Sequence, residues 1–160
     1  SMTAIAEEAR MAMRWLLPRL ATEFGASDRL VVGGHSAGGH LSAIALEVPG
    51  LAGGLLISGL YDLEPIMRSY LNAPIRMDAE EARRTSPLSR PPAKVPTVVT
   101  VGAAELPELV RQSHEYAAYL AQAGCPVQSI DCPGDDHFTV LERLAARDGL
   151  LCDAVAKMLA

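Results

Sequence analysis

The residues with the clearest chemical potential in this sequence are a serine and its flanking glycines, in the run Gly34-His-Ser-Ala-Gly38. A serine hydroxyl becomes a nucleophile when a base removes its proton, and flanking glycines let it occupy a tight turn in which larger side chains would clash. A buried strand at 29–33 precedes the run and a small-residue helix follows it, which is the context of a catalytic serine. Ser36 is therefore the predicted nucleophile, with the Ala37 N–H donating to an oxyanion. The alternative is an incidental serine at a glycine-rich junction.

The sequence contains four histidines, and one of them could be the base that removes the serine proton. His137 follows the predicted strand Val127–Cys132 directly, and the carboxyl ends of parallel strands are where ligands meet a sheet. We therefore predict that His137 is the general base, the alternative being an ordinary surface-loop histidine. We expect the His35 side chain to point away from that of the serine. His40 is expected to be packed and hydrogen-bonded on the following helix, and His114 to lie in the middle of a helix, exposed or half-buried.

An acid that orients the histidine is expected between the serine and the histidine in chain order. Glu105 follows the predicted strand 97–101 after a short loop, so it is the first choice. Glu108 is the main alternative, although an acid in the first turn of a helix commonly complements the helix dipole. Three aspartates lie so close to the histidine that they are expected to shape its loop instead. They are Asp131, Asp135 and Asp136.

An amphipathic helix is predicted near the start of the chain, over residues 4–20. Pro18 is expected to kink or end it, since proline removes a backbone donor. Apolar residues recur there at steps of three and four, as on one face of a helix. This stripe consists of Ile5, Ala9, Ala12, Leu16 and Leu20.

The remaining pattern alternates strands with helices, which predicts an α/β fold with a mostly parallel sheet covered by helices on both faces. The predicted strands are 29–33, 55–58, 97–101 and 127–132. Helices are predicted at 41–47, 107–123, 139–146 and 150–159. Residues 62–94 are rich in proline and charge, and we interpret them as a cap-like or loop insertion with short helices. We interpret residues 1–160 as part of a single domain.

Composition excludes several classes of function. The 160 residues are 49% hydrophobic and 21% charged, and the net charge of −5 is spread along the chain, so no basic surface for nucleic acid is expected. No apolar run is long enough to span a membrane, and no signal peptide is recognised. The three cysteines form no metal-binding pattern, and we expect no metal. Reduced thiols indicate an intracellular, cytoplasmic protein.

Four segments resemble kynurenine formamidase-like (arylformamidase-like) α/β-hydrolases, which are related to hormone-sensitive-lipase-type esterases. The first is the serine turn, 34–41. The others look like the family's segment after the next strand, its acid loop and its histidine loop; they are 58–65, 102–113 and 132–138. The resemblance covers the chain from about residue 4 onward. It is more specific in the Tyr-Asp-Leu-Glu-Pro and acid-loop contexts than in the serine turn.

The resemblance implies Ser36 as nucleophile, Glu105 as acid and His137 as base, although the family often has aspartate where this chain has Glu105. It implies hydrolysis of an aryl formamide, such as N-formylkynurenine, or of a small ester, through an acyl-enzyme and without any metal or organic cofactor. A small-molecule acyl compound is thus the expected partner. The alternatives are a general carboxylesterase of the same fold and a non-catalytic interaction module derived from a hydrolase.

Family members carry further strands before the serine turn and a His-Gly-Gly-type loop that supplies other oxyanion donors. This sequence has one predicted strand before Ser36 and no such loop. We therefore expect it to correspond to the C-terminal portion of the hydrolase fold. Completion by an N-terminal half, or association into a homo-oligomer, is expected to cover the edge of the sheet.

Overall fold

The computed structural model describes residues 1–145 and 149–160, and its core is a parallel four-stranded sheet in the order β1-β2-β3-β4. The strands are β1 (Val31–His35), β2 (Gly53–Ile57), β3 (Thr97–Gly102) and β4 (Val127–Cys132). The α-helices are α1 (Met2–Leu16), α2 (Leu20–Glu23), α3 (Ala37–Ala45), α4 (Glu64–Met67), α5 (Asn72–Ile75), α6 (Ala79–Thr85), α7 (Pro107–Gln122) and α8 (Leu150–Leu159). Short 3₁₀ helices are Leu17–Arg19, Pro87–Ser89 and Thr139–Leu144.

Helices cover both faces of the sheet, as the alternating pattern predicts. On one face, Leu56 of β2 and Val99 of β3 pack in a cluster with α3 and α7 residues such as Ala43 and Leu120. Leu55 and its neighbours face the other way and pack against α8. Every residue of β2 and β3 is buried, which explains why these strands are almost continuously apolar.

The strand register brings the candidate site together at one edge of the sheet. His35 is paired with Ile57, which is paired with Thr100, while Gly102 at the end of β3 is paired with Cys132 at the end of β4. The four strands are parallel, so the residues that follow them all emerge at the carboxyl edge. The serine turn, the acid loop and the histidine loop are therefore neighbours.

Helix α1 is confirmed, but it packs through a different face from the predicted stripe. The side chains of Met2 and Ala6 are buried, whereas Ile5 is 40% exposed and Ala12 is also exposed. An ion pair contributes to this orientation, because the half-buried Arg10 donates to Glu47 just beyond α3. Helix α1 ends before Pro18, in agreement with the expected break.

The segment 62–94 contains short helices, as expected, and packs beside α1. Leu63, Met77 and Ala82 form a small apolar cluster with Met2.

The helix predicted at 139–146 is instead the 3₁₀ helix Thr139–Leu144, and its predicted end at Ala146 lies outside the described residues. In the part of the chain that the structure describes, no helix is both long and apolar enough to cross a membrane.

Candidate active site

Ser36 occupies a strained turn between β1 and α3. Its backbone has φ 56° and ψ −119°, a conformation that non-glycine residues rarely adopt and that is concentrated at functional sites. The Ser36 N–H donates to the Ile57 carbonyl oxygen at 2.9 Å, which ties the turn to β2. Ala37 is the first residue of α3, where a backbone N–H has no acceptor within the helix. Such a free N–H can stabilise a negative oxygen at the helix start.

The glycines around this turn have different structural roles. A Cβ at Gly34 would overlap the backbone carbonyl of Gly38, so only glycine fits there. A Cβ at Gly38 would have no neighbour within 4 Å. The prediction that a larger side chain would clash at this position is therefore wrong. The second crowded position is Gly39, where a Cβ would lie 2.8 Å from the Gly59 Cα and 3.1 Å from the Ile57 oxygen.

Alanine substitutions at the adjacent glycines are expected to have opposite effects on stability. Gly39→Ala should lower the free energy of unfolding by about 1–3 kcal/mol, because the backbone of Gly59 must move to admit a methyl group. Gly38→Ala meets open space on a helix and should raise it, by up to about 1 kcal/mol. Urea unfolding of both variants measures the difference. Equal effects would contradict the packing described here.

Glu105 and His137 form a hydrogen-bonded pair at the carboxyl edge. His137 Nδ1 lies 2.6 Å from Glu105 Oε2, and the Glu105 side chain is completely buried, whereas 26% of the His137 side chain is exposed. A carboxylate on Nδ1 fixes that nitrogen as the donor, so Nε2 is the nitrogen left to accept a proton. This arrangement suits a general base.

The other oxygen of Glu105 is held from two directions. Glu105 Oε1 accepts a hydrogen bond from the Gly102 N–H at 2.8 Å and another from the Ser58 hydroxyl. Ser58 itself is completely buried and follows β2 directly. Each oxygen of the buried carboxylate therefore has a partner, as a buried charged group requires. Ser58 is not among the site residues predicted from the sequence, although its place directly after a buried strand was a signal that could have indicated it.

Glu108, the alternative acid, has a different environment. It accepts hydrogen bonds from Arg111 and Gln112, and 43% of its side chain is exposed. The bond from Arg111 lowers the pKa of Glu108, so its contacts are those of a surface carboxylate that stabilises α7.

The three aspartates near His137 hold their own surroundings in place. Asp131 pairs with His114 at 2.9 Å, and Asp135 pairs with Arg143. Asp136 accepts from the backbone N–H groups of Phe138 and Thr139, which lower its pKa and close the turn that carries His137. None of these three carboxylates is bonded to His137 within the described ranges.

The serine turn and the Glu105–His137 pair are linked through His35. The ring centroids of His35 and His137 lie 4.3 Å apart, so the residue before Ser36 packs against the candidate base. Over residues 1–145 and 149–160 no hydrogen bond joins Ser36 Oγ to His137 directly. Catalytic hydrogen bonds are often long in unliganded enzymes and tighten around a substrate.

The His35 side chain was expected to point away from that of Ser36, and the structure places its ring beside His137. Its Nε2 is buried with no hydrogen-bond partner among the described residues. Burial lowers the pKa of His35, and the neighbouring His137 lowers it further, so the ring is neutral at neutral pH.

The two remaining histidines lie where the sequence indicates. His40 is buried, its Nε2 donates to the Thr85 carbonyl oxygen at 2.8 Å, and burial lowers its pKa. His114 is exposed on α7 and is paired with Asp131. Within the described part of the chain, no group of three or more His, Cys, Asp or Glu side chains is arranged to hold a metal ion.

Comparison with known families gives a match over most of the chain. A family model described as the α/β-hydrolase fold matches residues 1–141. The chain is 37% identical over 140 residues to a kynurenine formamidase from Danio rerio, and 36% identical over 141 residues to one from Salmo salar. Each match includes 79% of this chain and 48% of the relative, so the chain spans about half the length of the curated relatives it matches.

Solved structures give the same fold. A proposed thioesterase from Silicibacter sp. superimposes with a TM-score of 0.76 and 28% identity, over 95% of this chain and 58% of that one. A serine-to-alanine mutant of an α/β hydrolase from the metagenome of Lake Arreo, Spain, superimposes with a TM-score of 0.72 and 23% identity, over 96% and 56% of the two chains. The second similarity concerns the fold alone.

Proposed function

The chain belongs to the α/β-hydrolase fold family, and from this premise we propose that it acts as a serine hydrolase with Ser36 as nucleophile, His137 as general base and Glu105 as the orienting acid. The observation that carries this proposal is the buried Glu105 carboxylate on His137 Nδ1, at the sheet edge where Ser36 occupies its strained turn. A packing role alone does not require a buried carboxylate on a partly exposed histidine.

The proposed reaction proceeds in two steps. Ser36 Oγ attacks the acyl carbonyl carbon while His137 Nε2 accepts the hydroxyl proton, and His137 then passes this proton to the leaving group as the acyl bond breaks. Water, deprotonated by the same nitrogen, hydrolyses the acyl-serine and restores the hydroxyl. The Ala37 N–H donates to the oxyanion in both steps, and Glu105 stabilises the imidazolium.

We propose an aryl formamide of the N-formylkynurenine type as the substrate, with formate and the free arylamine as products. The support is the similarity, over 140 residues, to proteins named kynurenine formamidase.

The three cysteines support a further proposal of a reducing, cytoplasmic setting. They are free thiols, two of them buried, at Cys125, Cys132 and Cys152.

A matched pair of substrates tests this proposal. We expect the protein to hydrolyse N-formylkynurenine faster than N-acetylkynurenine, with kcat/KM measured by the absorbance of the released arylamine. p-Nitrophenyl acetate serves as a simple ester, and its kcat/KM is measured by the absorbance of the released p-nitrophenolate. Preference for the ester would favour the general carboxylesterase, and no turnover of any of the three would favour the non-catalytic module.

A further inference from the structure

Ser58 lies between the serine turn and the acid loop, yet it has no place in the mechanism described above. It follows β2 directly, and its N–H donates to the Thr100 carbonyl oxygen at 2.8 Å, which anchors it to β3. Its side chain is completely buried, so it does not contact a substrate. Any influence of Ser58 on the reaction must act through a neighbouring group.

That neighbour is the carboxylate of Glu105. The Ser58 hydroxyl donates to Oε1, which also accepts from the Gly102 N–H, while Oε2 lies on His137 Nδ1. Three donors around one carboxylate fix both its side-chain rotamer and its plane. The carboxylate plane in turn sets the direction from which Oε2 meets the imidazole.

The backbone of Ser58 adds a separate observation. Its φ is +49°, in the left-handed region that favours glycine and that is strained for other residues. Glycine would occupy this position without strain, but it would leave Glu105 Oε1 with one fewer donor. The hydroxyl is thus the feature that a serine provides here and a glycine does not.

We infer that Ser58 is a positioning residue that holds the Glu105 carboxylate in line with His137. This inference rests on the proposed serine hydrolase function. It adds a fourth side chain behind Ser36, His137 and Glu105, one that contacts neither substrate nor imidazole. Loss of the hydroxyl should lower kcat by about tenfold, which corresponds to about 1.4 kcal/mol of transition-state stabilisation, and leave KM within about twofold.

The test uses Ser58→Ala and Ser58→Gly in the full chain, with Ser113→Ala as the matched control. Ser113 is also buried, but its hydroxyl has no partner among the described residues. Glycine suits the φ of position 58, which keeps the fold intact when the hydroxyl is lost. Three quantities are measured: kcat and KM on N-formylkynurenine or p-nitrophenyl acetate, the melting temperature, and the downfield proton resonance of the His137 Nδ1–H.

We expect both Ser58 variants to lose kcat and to shift or broaden the downfield resonance, while Ser113→Ala keeps both. An unchanged resonance in Ser58→Gly, or a loss of kcat that only follows the melting temperature, would overturn the inference. Absence of the resonance from the parent protein would overturn it as well. If the parent has the resonance but hydrolyses no substrate, the proposed function fails while the resonance of the Ser58 variants still decides the role of Ser58.

Discussion

Replacing Ser36 with alanine is expected to reduce kcat on the best substrate by about 10⁴-fold or more, because the hydroxyl that forms the acyl intermediate is lost. The same loss is expected for Ser36→Gly, which also lacks the hydroxyl. The two variants differ in stability, since glycine relieves the backbone strain that φ 56° imposes on serine and alanine. Ser36→Gly should raise the free energy of unfolding by about 1–3 kcal/mol.

Steady-state kinetics and urea unfolding of the two variants measure these effects together. A protein that is more stable and inactive would show that Ser36 is kept in a strained turn for its chemistry. If both variants were as active as the parent, Ser36 would not be the nucleophile. Loss of activity with unfolding in both would point to a structural role instead.

Replacing Glu105 with glutamine is expected to reduce kcat by about 10⁴-fold while leaving the protein folded. The glutamine oxygen can still accept from Ser58 and Gly102, which directs the amide NH₂ at His137 Nδ1. The imidazole must then accept the hydrogen bond from this NH₂ group at Nδ1 and carry its own proton on Nε2. A protonated Nε2 cannot remove the serine proton, so the loss comes from the wrong tautomer rather than from lost packing.

Glu108→Gln is the matched control for this prediction, because it makes the same chemical change three residues away. Glu108 is bonded to Arg111 at the surface, and exposed ion pairs of this kind contribute about 1 kcal/mol or less to stability. We expect its kcat to stay within about twofold of the parent value, a range that mutations at an exposed site outside the reaction rarely exceed. A larger loss in Glu108→Gln than in Glu105→Gln would reverse the assignment of the acid.

Much of the candidate site could be predicted because its residues are tied to strand ends. Ser36, Glu105 and His137 each lie shortly after a strand, and parallel strands bring such positions to one edge wherever the helices lie. Ser58 follows a strand as well. Its role depends on a bond to Glu105, 47 residues away along the chain, and no local pattern indicates such a bond.

Local patterns also misplaced the start of β2. The sequence indicated a strand from Leu55, whereas β2 begins at Gly53. Glycine disfavours strands in general, but a Cβ at Gly53 would overlap Met158 of α8 and a Cβ at Gly54 would lie 2.7 Å from Leu46. These two glycines make room for side chains from opposite faces of the sheet, which is a property of the packed molecule.

The sequence by itself determined the α/β class, the order of strands and helices and the strained serine turn, because these follow from local periodicity and from glycine and proline placement. Only the tertiary structure decided which face of α1 is buried, that Glu105 rather than Glu108 meets His137, and that His35 lies against the same ring. Each of these depends on which side chains meet across long distances in the chain. The spacing of residues along a helix or a loop limits which side chains can be in contact, and the packing of the folded chain decides which of these contacts form.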